Sequence, residues 1–161
     1  MSLIIWSLMF VIGVSDSQRH RIPNYLVGLL LLAVVSDLYI HHYDITWWLH
    51  IKGFLATFAI GFGLYLTRAM AGGDVKLLAV IGLWLGAETM WLATPFIIVA
   101  SGVIGAFYLA FYVATSNYTV VEHVRAYVVQ KVTPGWKSKE PLVIPFAPAV
   151  VIGLAYYFYT H

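Results

Sequence analysis

Long apolar stretches cover most of this chain of 161 residues, and they limit the folds that it can adopt. Only 10% of the residues are charged, whereas about a quarter are charged in soluble domains. A transmembrane helix needs about 20 mostly apolar residues. The sequence therefore predicts an all-α, polytopic membrane protein.

The apolar stretches predict a bundle of about six transmembrane helices in a single membrane-embedded domain, residues 1–161. They lie at roughly 2–18, 23–40, 47–67, 72–90, 91–114 and 142–160. Within the long connection 115–141, Val121, Val124, Val128 and Val132 lie near one helical face, which predicts an amphipathic helix at the lipid surface. Gly82 and Gly86 form a pair of small residues that would let the fourth span pack closely on a neighbour.

The basic residues indicate how the spans are oriented, because cytoplasmic loops collect Lys and Arg. Eight of the nine lie in or beside the first, third and fifth connections: Arg19, Arg21, Arg68, Lys76, Arg125, Lys131, Lys137 and Lys139. Lys52 is the exception. We expect a multi-pass protein of the cell membrane whose partner is the lipid bilayer, with both termini outside and these three connections in the cytoplasm.

Two acidic residues, Asp16 and Asp74, lie at the predicted cytoplasmic ends of spans one and four, beside short apolar runs. Residues 3–14 would span about 18 Å as a helix, against a hydrocarbon core of about 30 Å. Each helix is therefore expected to extend through its aspartate. An ionisable residue at membrane depth is a candidate functional residue.

Two carboxylates that lie close together in a low dielectric cannot both ionise easily, so they share one proton. An aspartic protease needs this arrangement, in which the ionised group takes a proton from water and the protonated group polarises the scissile carbonyl. The absence of Cys excludes thiol nucleophiles and cysteine-ligated zinc. The six His residues lie in predicted loops, near span ends or at the terminus, so no Ser–His pair is indicated. We expect no metal, no cofactor and no nucleic-acid partner.

Other interpretations remain open at this point. Asp74 could be a helix N-cap, and Asp16 could be a solvated loop residue beside Arg19 and Arg21. The alternative function is a small proton-coupled membrane transporter that uses Asp16 and Asp74 as protonation sites. A structural subunit, in which the aspartates pair with basic residues, is a third reading. Both acids lie on one side of the membrane and no inverted repeat is evident, which favours the peptidase over the transporter.

Three segments resemble the signature motifs of the type IV prepilin peptidase family, the membrane aspartic peptidases with a GxGD motif. They are DSQRHRIPN at 16–24, GGDVK at 72–76 and IPFAPAVVIG at 144–153. The resemblance covers the motifs in the same order. It implies an intramembrane endopeptidase that removes the short basic leader of prepilin or pseudopilin substrates at the cytoplasmic face.

By this resemblance, Asp16 and Asp74 match the catalytic pair. Gly72 and Gly73 match the flexible loop through which a backbone approaches the site, and glycine permits such an approach. Lys76 lies about 200° around a helix from Asp74, so we expect it at the interface or in contact with lipid or substrate.

In the first motif, Pro23 and Asn24 are expected to restart the second span, because the residue before a proline leaves the helical region. Two positions depart from the family pattern: Ala71 replaces the first glycine of GxGD, and Ala147 stands where glycine is more common. The chain also lacks the four-cysteine zinc insertion of many members, so it resembles the short core-only form and N-methylation is not expected. The sequence does not indicate an oligomeric state.

Overall fold

The computed structural model describes residues 3–41, 47–115 and 144–161. These residues form five helices and no strands, which confirms the all-α prediction for the described part of the chain. The helices are α1 (Leu3–Arg19), α2 (Asn24–His41), α3 (Trp47–Leu66), α4 (Gly72–Thr115) and α5 (Ala147–Thr160). The amphipathic helix predicted at 120–132 lies outside the described residues.

The fourth and fifth predicted spans are joined in α4, a run of 44 residues that is broken at Gly86 (φ 75°, ψ 169°) and contains Pro95. The positive φ is one that glycine adopts without steric cost. The apolar pattern predicts this boundary at 90–91, four residues later than the break. The number of about six transmembrane helices remains a prediction.

Among the described residues, two helices are long and apolar enough to cross a membrane, Trp47–Leu66 and Gly72–Phe111. Two further helices, α2 and α5, are apolar but shorter. In α3 the buried residues are two glycines, Gly53 and Gly61, and most of the large side chains are exposed. These features fit a membrane protein, because such side chains are favourable against lipid.

The backbone divides into two compact units. The first contains Met1–Ser101 and Pro145–His161, and the second contains Gly102–Ile144. The first unit holds the hydrophobic core and both candidate aspartates. The described part of the second unit is the end of α4 and Ile144. The single domain of residues 1–161 stays a prediction.

The core of the first unit is built around α1, which packs against α2 and α5. The buried residues of α1 recur three or four positions apart and so form one face of the helix. They include Ile5, Met9, Ile12 and Asp16. The apolar part of this face meets Leu30 of α2 and Val150 of α5 within one hydrophobic cluster. Asp16 therefore lies at the end of a buried helix face whose other large side chains are apolar.

Glycines allow α3 and α4 to approach closely, as Gly82 and Gly86 had predicted. A Cβ atom added at Gly53 would lie 2.8 Å from the carbonyl carbon of Gly86 and 2.9 Å from the nitrogen of Ala87. One added at Gly82 would lie 2.6 Å from the carbonyl oxygen of Gly53. Nearby, His50 Nδ1 donates a hydrogen bond of 2.8 Å to the carbonyl oxygen of Leu83.

Candidate active site

Asp16 lies at the end of the buried face of α1 and is only 5% exposed. Its Oδ2 accepts a hydrogen bond of 3.0 Å from the backbone N–H of Ala147, the first residue of α5. The N-cap residue of α5, Phe146, makes no side-chain capping bond. The carboxylate of Asp16 therefore takes the place of a side-chain cap at the start of α5, where the helix dipole is favourable for a negative group. Asp16 is not a solvated loop residue.

Asp74 lies in the first turn of α4, half-buried, and its N–H donates to the carbonyl oxygen of Ala71 at 3.1 Å. Because α4 begins at Gly72, Asp74 lies inside the helix and is not its N-cap. The negative charge of Asp16 acts on the Asp74 carboxylate, so the two groups lie close enough to repel each other. Both helices extend through their aspartates, as the short apolar runs had predicted.

The two glycines before Asp74 differ in their surroundings. A Cβ atom added at Gly73 would lie 3.2 Å from the Cβ atom of Ile22, which is tighter than ordinary van der Waals contact. One added at Gly72 would lie 3.6 Å from the ring of Tyr65, an ordinary contact. Gly73 is therefore the position at which the second motif packs directly on the Ile-Pro-Asn segment of the first.

A polar contact also joins these two motifs. Lys76 Nζ donates a hydrogen bond of 3.0 Å to Oδ1 of Asn24, although the two residues are far apart in the sequence. Asn24 is the first residue of α2, and the carbonyl oxygen of Pro23 accepts bonds from the N–H groups of Leu26 and Val27. The predicted restart of the helix at Pro23 and Asn24 is thus confirmed, but the partner of Lys76 was not predicted.

The first motif contacts both of the others in this region. Asp16 bonds Ala147 of the third motif, and Ile22 and Asn24 contact Gly73 and Lys76 of the second. The third motif contributes the N–H of Ala147, which the sequence analysis had noted only as a departure from the family pattern. A backbone donor has no side-chain signature, so no sequence signal could have identified it. The contact of Ile22 with Gly73 was missed for a related reason, since it depends on how two distant segments pack.

The chemical groups of the site are two neighbouring carboxylates, one buried and one half-buried. In such a pair, an ionised carboxylate can act as a base toward a water molecule, while a protonated carboxyl group acts as an acid. Within residues 3–41, 47–115 and 144–161, no group of three His, Cys, Asp or Glu side chains could hold a metal ion.

Searches of the curated proteins and of the solved structures found no significant match to the chain. The sequence pattern of the Type IV leader peptidase family, in contrast, matches residues 3–110, which is more than half of the chain. The matched region contains Asp16, Asp74 and the segments around them. The family is a family of membrane peptidases whose substrates are prepilin-like proteins, and the two long apolar helices agree with it. The chain therefore belongs to the Type IV leader peptidase family.

Proposed function

We propose that this protein is an aspartic endopeptidase that removes the short basic leader of type IV prepilin-like proteins. Asp16 and Asp74 form its catalytic dyad. The observation that carries the proposal is that the two aspartate motifs, far apart in the sequence, pack together through Ile22 on Gly73 and Asn24 on Lys76, and that their two carboxylates interact electrostatically. Family membership supports peptidase activity, and the shielded position of Asp16 supports carboxylate chemistry.

The surroundings of the two carboxylates suggest different roles. We assign the role of the base to Asp16, because the hydrogen bond from Ala147 fixes its carboxylate at the start of α5. Asp16 then takes a proton from water, whose oxygen attacks the scissile carbonyl carbon. Protonated Asp74 donates a hydrogen bond to the carbonyl oxygen and stabilises the charge that develops there. Asp16 returns its proton to the leaving amine, and the peptide bond breaks. No metal or organic cofactor takes part.

The substrate proposal follows from charge and from the bilayer. A prepilin or pseudopilin has a positively charged leader before a hydrophobic helix. That helix lies in lipid beside the enzyme, and the leader meets the two carboxylates at the cytoplasmic face. Gly72 lets the backbone of the substrate approach, whereas Gly73 packs on Ile22 and so joins the two aspartate motifs. Pro23, Asn24 and Lys76 shape the site.

Co-expression with a prepilin-like substrate tests the dyad. Leader removal is followed by the change in size of the substrate on a gel for the wild type, Asp16→Asn and Asp74→Asn. Both variants should abolish cleavage, because each retains the size of its side chain but not the carboxylate. Glu88→Gln is the matched control, since it removes an exposed carboxylate from α4, and it should cleave normally.

Normal leader removal by Asp16→Asn or Asp74→Asn would contradict the proposal. The transporter alternative predicts a different result. Liposomes that contain the wild type would show proton flux, and the same two substitutions would alter it without any effect on a leader peptide.

A further inference from the structure

We propose that Lys76 and Asn24 are a positioning pair, which holds the first turn of α4 against the start of α2 and so sets the place of Asp74 relative to Asp16. This inference rests on the function proposed above. It deepens that function by assigning the two polar side chains to the geometry of the dyad and not to the binding of substrate or lipid.

The contact itself is a hydrogen bond of 3.0 Å from the ammonium group of Lys76 to the amide oxygen of Asn24. Hydrogen bonds from a charged donor are roughly twice as strong as neutral ones. Both side chains are exposed, so water competes for them and the bond adds little to the stability of the whole fold. Its effect is local, because it joins the first residue of α2 to the fifth residue of α4, and the two helices carry different motifs.

The direction of the contact suits a positioning role. Lys76 follows Asp74 by two residues, about 200° around the helix. The bond therefore holds α4 from the side opposite the carboxylate of Asp74. Between them, Val75 is buried against α3, where a Cβ atom added at Gly61 would lie 3.2 Å from its Cγ1. The first turn of α4 is thus held from α2 and from α3.

The two aspartates differ in how they are fixed, which explains why one of them needs this support. Asp16 is buried at the end of α1 and bonded to Ala147. Asp74 follows two glycines, the residues with the greatest backbone freedom. A displacement of about 1 Å at a reacting group can reduce the rate of catalysis roughly 100-fold. The end of α4 that carries Asp74 therefore needs contacts outside its own backbone.

Kinetics of leader removal by the full chain in liposomes test the pair. Asn24→Leu and Lys76→Met should each lower kcat roughly 10-fold to 100-fold and leave KM unchanged. The double variant should be no slower than the slower single variant, because both remove the same bond. Asn24→Asp retains an acceptor for Lys76 and should recover most of the turnover.

Two exposed residues outside the site, Tyr25 and Lys52, provide matched controls. Tyr25→Leu changes the next residue of α2, and Lys52→Met removes an exposed ammonium group from α3. Both should turn over substrate like the wild type. A rise in KM without a change in kcat for Lys76→Met would identify Lys76 as a substrate contact and overturn the pair.

Hydrogen–deuterium exchange of the peptide 70–80 provides a readout that does not depend on activity. Exchange should be faster in Asn24→Leu and in Lys76→Met than in Tyr25→Leu, because the first turn of α4 opens more often. Unchanged exchange in both variants would overturn the positioning role. If the wild type cleaves no prepilin-like substrate, the proposed function fails, while the exchange experiment still decides the role of the pair.

Discussion

At the scale of single residues, Asp16 shows how a carboxylate can lie within an apolar core. Burial of a charged group is costly unless the group is paired or hydrogen-bonded. Here the N–H of Ala147 and the positive end of α5 compensate for that cost. The benefit is mutual, because Phe146 makes no side-chain cap for this helix. Asp16 thus supports the fold as well as the proposed chemistry.

Replacement of Asp16 by alanine should therefore destabilise the protein, whatever its activity. Asp16→Ala leaves the N–H of Ala147 buried without its acceptor, at a cost of about 1–3 kcal/mol in the free energy of unfolding. Asp16→Asn retains an oxygen acceptor and should cost less. Thermal unfolding of the purified protein in detergent measures the difference, with Glu88→Ala as the exposed control. Equal unfolding temperatures for Asp16→Ala and the wild type would contradict this role.

The sequence was sufficient to name the candidate residues of the site, but it did not show which of them contact each other. Asp16 and Asp74 could be paired from the short apolar runs beside them and from the charge pattern. Their carboxylates interact electrostatically, and their catalytic role stays a prediction. The partners of Lys76 and Gly73 could not be found in this way. Asn24 and Ile22 lie far from them in the chain, and no local pattern says which helix ends meet.

At the scale of helices, the close contact between α3 and α4 depends on glycines, which have no side chain to keep the two backbones apart. Gly53 and Gly82 let the two backbones approach, as expected for small residues between membrane helices. The break in α4 lies at Gly86, on the same contact surface. The apolar run continues through this point, so hydropathy could not locate the break. The boundary predicted at 90–91 differs from the break at Gly86 for this reason.

A methyl group added at this contact should separate the two helices. Gly53→Ala should cost about 1–3 kcal/mol in the free energy of unfolding, because the new Cβ atom meets backbone atoms of α4 that cannot move away easily. Gly63→Ala is the matched control on the same helix, since its added Cβ atom meets nothing within 4 Å. It should be neutral or slightly stabilising. Unfolding in detergent compares the two, and equal stability would contradict the close packing of α3 on α4.

At the scale of the whole molecule, orientation in the membrane follows from charge. Basic residues cluster in or beside alternate connections of the chain, which predicts that these connections lie in the cytoplasm. The same orientation would place Asp16 and Asp74 at the cytoplasmic side, where a basic leader peptide is accessible. This predicted orientation depends on charges spread along the sequence, and single contacts do not determine it.

Labelling of single cysteines tests this orientation directly, because the natural chain contains no cysteine. His161→Cys at the terminus should react with a membrane-impermeant maleimide in intact cells. Thr67→Cys, in the connection before α4, should react only after the cells are made permeable. Neither substitution removes a Lys or Arg from the charge pattern. Labelling of Thr67→Cys in intact cells would reverse the predicted topology.

The sequence by itself determined the helical class, the membrane setting and the two candidate aspartates. These features depend on composition, on the length of apolar runs and on short motifs, all of which are local. The tertiary structure alone decided that Asp16 bonds the start of α5, that Lys76 bonds Asn24 and that α4 breaks at Gly86. The first two contacts join residues far apart in the chain, and the third is a backbone angle. Such features arise only when helix faces pack, because packing selects which distant groups meet.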